Sequence, residues 1–184
     1  RLGGVLKQSA GIAAFWHASQ AADAIETSPD QRSILAVRDR TAQVWDLETG
    51  RPLTPLFEHA GKILCAAFSS PGDRIVASTD KGEAIVLDLS TARRVCAIQQ
   101  PSLILKFAWF SPDGKRVVTA GTRAEASQGH ARVWDAESGE AVTPMMEFDG
   151  VMGHLSYSAN GAYILTSSVL PRLNGRTART KPSS

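Results

Sequence analysis

A short phrase recurs along this chain, and a recurring phrase restricts the fold more than any single motif can. At residues 131–140 it reads ARVWDAESGE: Val133-Trp134-Asp135 followed by a turn-forming Ala-Glu-Ser-Gly. Gln43-Val44-Trp45-Asp46-Leu47-Glu48-Thr49-Gly50 is close to a copy, and Ile85-Val86-Leu87-Asp88-Leu89-Ser90-Thr91-Ala92 is a worn one. Trp45 to Leu87 is 42 residues and Leu87 to Trp134 is 47. A second marker keeps step with the first. Ser28-Pro29-Asp30, Ser70-Pro71-Gly72-Asp73, Ser111-Pro112-Asp113-Gly114 and Ser158-Ala159-Asn160-Gly161 follow one another at intervals of 42, 41 and 47. Each is a cluster of the residue types that tighten hairpin turns. Two markers in a fixed order at one period define a repeat architecture.

Between the markers the chain is short runs rich in Val, Ile and Thr, the composition of strands. First strands are expected at 63–68 and 103–110, before the Ser-Pro turn. Second strands follow it at 33–37, 74–78, 116–120 and 162–167. Third strands fall at 42–47, 84–89 and 131–136, and fourth strands at 52–57, 93–98 and 141–146. Four short strands per repeat of about 40 to 45 residues is the plan of one β-propeller blade.

These residues carry a resemblance: the chain is similar to the WD-repeat (WD40) β-propellers, in their regular bacterial style. The resemblance rests on Val-Trp-Asp at 44–46 and 133–135, the Ser-Pro-Asp turns, and a His ahead of the first strand at His17 and His59. It implies an all-β propeller segment of about four four-stranded blades, with repeats near 9–50, 51–92, 93–139 and 140–184. It also implies structural roles for His17, Trp45, Asp46, His59, Asp88, Trp134 and Asp135. Leu87 stands in place of a Trp, and Pro101 and Phe148 where the repeat His is due, so two repeats are expected to lack the family's His network. Residues 11–16 align as a fourth strand of a preceding blade. Thr180, Lys181 and Pro182 stand where Val, Trp and Asp are due a fourth time, and Pro there is expected to end or fray the strand. A closed ring needs about four to eight blades. The chain is therefore expected to be an incomplete propeller, an internal fragment of a longer one or an arc that pairs with a second copy.

Bulk properties exclude several alternatives. The 184 residues are 43% hydrophobic and 21% charged with a net charge of +2, enough for a core and too little charge to imply nucleic acid or membrane. The basic surplus belongs to the tail, whose charges are Arg172, Arg176, Arg179 and Lys181; the remainder of the chain is net acidic. Arg176 and Arg179 sit where a strand is due, and no aromatic residues are interleaved among the four, so a solvated strand is favoured over a phosphate-binding segment. Two cysteines, Cys65 and Cys96, make neither a disulfide framework nor a zinc knuckle, which points to a reducing, cytoplasmic setting. No apolar run approaches the roughly 20 residues of a membrane-spanning helix.

Catalytic patterns are missing from the sequence. It has no Gly-x-Ser-x-Gly elbow, His-Glu-x-x-His, Cys-x-x-Cys or phosphate-binding glycine loop, and neither cofactor nor metal is expected. Asp23 and Glu26 form the one carboxylate pair near a first strand. In a propeller first strands line the central channel, where the two acids are either solvated or bind a cation. An Asp beside the third-strand Trp is expected to bond a turn amide, and the Trp to serve packing.

Function is then sought where repetition fails. The 47-residue spacings are assigned to longer second-to-third loops at 122–129 and 169–174, on the rim where WD-repeat proteins commonly bind partners. Arg123, Glu125, Gln128 and Arg172 are the polar candidates there, with Lys62, Ser102 and Asp149 on adjoining turns. The expected function is a non-catalytic scaffold for protein–protein interaction. The alternatives are a regulatory or substrate-docking arm of a larger bacterial kinase or protease, and an enzyme built on Asp23 and Glu26.

Overall fold

The computed structural model describes residues 2–3, 17–18, 22–123 and 128–169. Every helix or strand among them is a strand, and every pairing is antiparallel. A short ribbon joins β1 (Leu2–Gly3) to β2 (His17–Ala18). Blade 1 is β3 (Ala24–Thr27), β4 (Ser33–Arg38), β5 (Thr41–Asp46) and β6 (Phe57–Glu58). Blade 2 is β7 (Ile63–Phe68), β8 (Arg74–Thr79), β9 (Glu83–Asp88) and β10 (Arg93–Gln99). Blade 3 is β11 (Ile104–Phe110), β12 (Arg116–Thr122), β13 (Gln128–Asp135) and β14 (Met146–Asp149). A fourth sheet pairs β15 (Val151–Tyr157) with β16 (Ile164–Val169). Strand order within each four-stranded sheet is sequential, as a meander requires.

Packing follows from the period of two along each strand. In β8, Ile75 and Ala77 join the core against blade 1, while Val76 joins the core against blade 3. In β12, Val117 faces blade 2 and Val118 and Ala120 face the fourth sheet. A strand covered on both faces has no polar side, which is why RIVAST and RVVTAGT read as continuous small and branched runs rather than alternating ones. Among the described residues the sheets form an open arc. Ile25 on β3 is 61% exposed, and Tyr163, just before β16, and Leu165 and Val169 on it are 54 to 70% exposed.

The first-to-second-strand turns share one chemistry. Ser28, Ser69, Ser111 and Ser158 each accept, on the side-chain oxygen, the amide five residues on, and each bonds a nearby Asp or Asn side chain. The blade 2 serine is Ser69, one residue before the Ser70 that the Ser-Pro spacing selects. Its partner is Asp73 rather than a residue two positions on, so the carboxylate and not the Ser-Pro dipeptide sets the register. The fourth turn residue has positive φ in all four: Gly72, Gly114 and Gly161, and Gln31 at 60°. L-residues tolerate that conformation poorly, and glycine takes it without strain.

The outermost strands depart from expectation in blades 1 and 3. Strands at 52–57 and 141–146 are each reduced to one bridge, Trp45 to Pro52 and Trp134 to Ala141, before pairing resumes at Phe57 and Met146. Pro55 and Pro144 have no N–H for the ladder. The preceding threonines fill the gap: Thr54 and Thr143 accept the Val44 and Val133 amides on Oγ1, at 3.1 and 3.2 Å. Blade 2 has no such Thr-Pro, and β10 runs unbroken for seven residues apart from a bulge between Arg94 and Cys96. Part of the extra length before Trp134 lies in strand: Thr122 ends β12 and Gln128 begins β13, so five residues separate the two strands in the sequence.

Candidate partner-binding rim

Two rims frame the arc. On one lie the first-to-second and third-to-fourth turns, where the Asp of each repeated phrase is consumed by its own turn. Asp46 accepts the Thr49 amide at 2.6 Å, Asp88 the Thr91 amide at 2.8 Å and Asp135 the Ser138 amide at 2.8 Å. Hydroxyls of Thr49, Ser90, Thr91 and Ser138 donate to the same oxygens. These bonds favour the ionised form, holding Asp46 and Asp135 below the ordinary carboxylate range and Asp88 down at about 2, with Ser90 the largest cause there. Arg74 bridges to Glu137 of the next blade at 2.8 Å on this rim.

The other rim carries the second-to-third turns and the crossings from one blade to the next. His59 closes the crossing into blade 2: its Nδ1 accepts the Gly61 amide at 2.8 Å and its Nε2 lies 2.8 Å from Glu83. At the crossing into blade 3 the corresponding group is Gln100, not Pro101. Its carbonyl accepts from Thr119 Oγ1 at 2.7 Å, and Thr119 in turn accepts from the Trp134 indole N–H at 2.8 Å. All three residues are buried. A side-chain amide thus replaces the imidazole that the resemblance led us to look for, and this repeat does hold a polar network. Blade 2 has Ala77 and Leu87 in the register of Thr119 and Trp134, an apolar pair with no such chain. Phe148 lies in β14 and packs into the core between blade 3 and the fourth sheet. Trp45 is half-buried on β5, and of His17 only its place in β2 is described.

Between blades 2 and 3 this rim opens into a polar groove of about 290 Å³. Its β13 wall is His130, Arg132 and Trp134, which share a face at a spacing of two. Arg132 stacks on the Trp134 ring, guanidinium carbon to centroid 4.9 Å, and donates from Nε to the Thr143 carbonyl at 2.8 Å. Glu147, directly across from His130 in the β13–β14 ladder, contributes one carboxylate. Ser102 and Arg123 complete the mouth. Arg123 is exposed and makes no hydrogen bond or ion pair among the described residues.

Of the residues singled out from sequence, the structure thus brings Ser102 and Arg123 together. Gln128 and Asp149 sit opposite each other where β13 meets β14, further along the same ladder. Lys62 lies elsewhere: its amide donates to Asp80 at 2.9 Å and its ammonium is 3.9 Å from Asp23. Glu125 and Arg172 lie outside the described residues, as do 11–16, 176, 179 and 180–182. Sequence reasoning passed over Gln100, His130, Arg132 and Glu147. The alternation of His130, Arg132 and Trp134 was the available signal, a polar stripe on a third strand whose counterparts in blade 2, Glu83, Ile85 and Leu87, are mostly apolar.

Asp23 and Glu26 do not act as a pair. Asp23 accepts the Asp39 amide at 2.8 Å and fastens the start of β3 to the β4–β5 turn. Glu26 is half-buried with Oε2 lacking a partner, and burial pushes its carboxyl up to about 7 against the pull of the Phe68 amide. The Cys65 thiol nearby is itself pushed up to about 11, chiefly by burial. Among the described residues no three His, Cys, Asp or Glu side chains gather as metal ligands. A raised carboxyl is harmless while protonated and destabilising once ionised. The Glu26 contribution is therefore neutral below the unfolded value of 4.5, and stability falls as pH rises from there to about 7. Glu26→Gln is expected to abolish that slope and raise stability at pH 8 by about 1 kcal/mol, allowing for the half-exposed site. Urea unfolding at pH 4, 6 and 8 reads it.

A family model described as WD domain, G-beta repeat, matches residues 50–83, which run from the end of the β5–β6 turn to the first residue of β9. The segment includes His59 and the Asp80 that fastens the start of β7. The matched repeat, the sheets of four antiparallel strands and the same turn chemistry around the arc are together consistent with WD40 propeller blades. No curated protein matches it. No helix among the described residues is long and apolar enough to cross a membrane.

Proposed function

We propose that this chain is a non-catalytic platform that presents the rim between blades 2 and 3 to a protein partner. WD40 repeats serve generally as interaction scaffolds, and one observation selects this rim over the other. The turn rim has its Asp carboxylates saturated by their own loops. The crossing rim offers Arg123, without a hydrogen bond or ion pair among the described residues, beside a groove whose walls are held by hydrogen bonds and stacking. Binding groups held on a rigid scaffold lose little freedom on association. Both His59 nitrogens are occupied and burial holds the Cys65 thiol protonated, so neither is free to act as a base or nucleophile.

A photo-crosslinking residue placed at Gln128 samples this rim, and one at Lys115 samples the other. The same partner is expected in adducts from Gln128 and not from Lys115. Equal yields from both positions, or none from Gln128, would exclude the rim as the contact surface.

A further inference from the structure

We infer that the groove between blades 2 and 3 is a receptor for a single carboxylate, the side chain of an aspartate or glutamate on the partner. The inference rests on the platform reading and adds the chemistry of what is recognised. Its first support is a preorganised guanidinium. Arg132 is pinned on one side by the Trp134 ring and at Nε by the Thr143 carbonyl. Neither terminal nitrogen forms a hydrogen bond among the described residues, so Arg132 presents donors in a fixed fork whose ordering cost is already met.

The second support is Arg123, which shares the groove and makes no hydrogen bond or ion pair among the described residues. Two guanidiniums facing one groove repel each other, and an anion between them converts that repulsion to attraction. The third is the charge of the lining. Two arginines against Glu147 leave one positive charge, which a monoanion balances and a dianion overshoots. Glu147 is 58% exposed and its nearest approach to His130 is 3.8 Å, beyond hydrogen-bond distance. It lowers the field of the groove without occupying it.

Buried His130 lines the same groove. It is 2% exposed, and its Nε2 has no hydrogen-bond partner among the described residues. Buried polar atoms are nearly always paired, so an orphan here marks a site whose polar complement comes from outside the described residues. Ser102 and the Gln100 amide supply further donors at the mouth, the latter touching only the Met145 sulfur at 3.8 Å. Leu103 and Met145 give the stem of an acidic side chain an apolar wall.

The probe is acetyl-glutamate amide, which carries one carboxylate, with acetyl-glutamine amide as its neutral shape control. Binding is read by NMR at the Trp134 indole N–H and the Arg132 Nε–H. The glutamate compound is expected to shift both signals saturably and the glutamine compound neither. Arg123→Gln, at an exposed position that leaves the core intact, should weaken binding about tenfold, the loss of one charge-assisted hydrogen bond. Glu147→Gln should raise the affinity for inorganic phosphate above that of the unaltered chain. Equal responses to the two amides, or an unchanged affinity in Arg123→Gln, would overturn the assignment. Phosphate binding the unaltered chain more tightly than the glutamate compound would overturn the choice of a monoanion. Crosslinking from Gln128 reports on partner contact whether or not the groove takes a carboxylate, so the two proposals fail separately.

Discussion

Gly82→Ala is expected to cost about 3 to 4 kcal/mol of stability, a large effect for one added methyl group. Gly82 closes the β8–β9 turn with φ of +73°, and a Cβ there would stand 2.0 Å from the Gln100 carbonyl oxygen and 2.7 Å from that of Leu103. Both neighbours are backbone, so neither moves without shifting the crossing into blade 3. That crossing hangs on Gly82 itself, whose carbonyl accepts the Gln100 amide at 2.7 Å. Gly72→Ala supplies the comparison. It has the same sign of φ, +78°, but its new Cβ would meet only Pro29 at 3.6 Å, ordinary contact. It should cost about 1 kcal/mol, the conformational part alone. Urea unfolding of both variants separates strain from collision. Equal losses would mean that the crossing yields.

Thr119→Val should cost about 3 kcal/mol. The substitution keeps shape and removes the one group that both accepts from Trp134 and donates to Gln100, leaving two buried polar atoms unsatisfied. Because the members sit in one chain, Thr119→Val combined with Gln100→Leu should cost less than the sum of the two single changes by about 1 kcal/mol or more. Strict additivity in that cycle would show the bonds to be independent. The Trp134 side-chain signal should also move downfield to upfield on loss of its acceptor, which places the effect at the indole rather than at a distant strand.

Much of this fold is legible in the sequence because a blade is a local object. Each turn is made by residues within about half a dozen positions, and Ser, Asp and Gly at fixed offsets announce it. The errors come where the chemistry does not follow the residue name. Ser70 precedes a proline and looks like Ser28 and Ser111, yet Ser69 makes the bonds, to an Asp73 four positions on where Asp30 and Asp113 stand two after their serines. Gln100 was passed over because a His was sought, although any side chain that can accept from Thr119 serves. The repeat plan puts outermost strands at 52–57 and 141–146, but Pro55 and Pro144 deny them ladder donors. The groove was the least visible feature. Its residues come from positions 99 to 147, gathered from β13, its neighbour β14 and the crossing from blade 2, a grouping that no window along one strand contains.

The matched repeat begins in one sheet and ends in the next, from the outermost strand of blade 1 through the inner strands of blade 2. The unit that sequence copies is therefore not the unit that geometry stacks. A gene segment duplicated at that boundary carries its own adhesive: each new copy finishes the sheet behind it and starts the one ahead. An array built this way grows by tandem duplication without passing through a stage in which a sheet lacks its edge in the middle of the arc, and any groove at a seam, such as that between blades 2 and 3, inherits its walls from two different copies that can diverge independently.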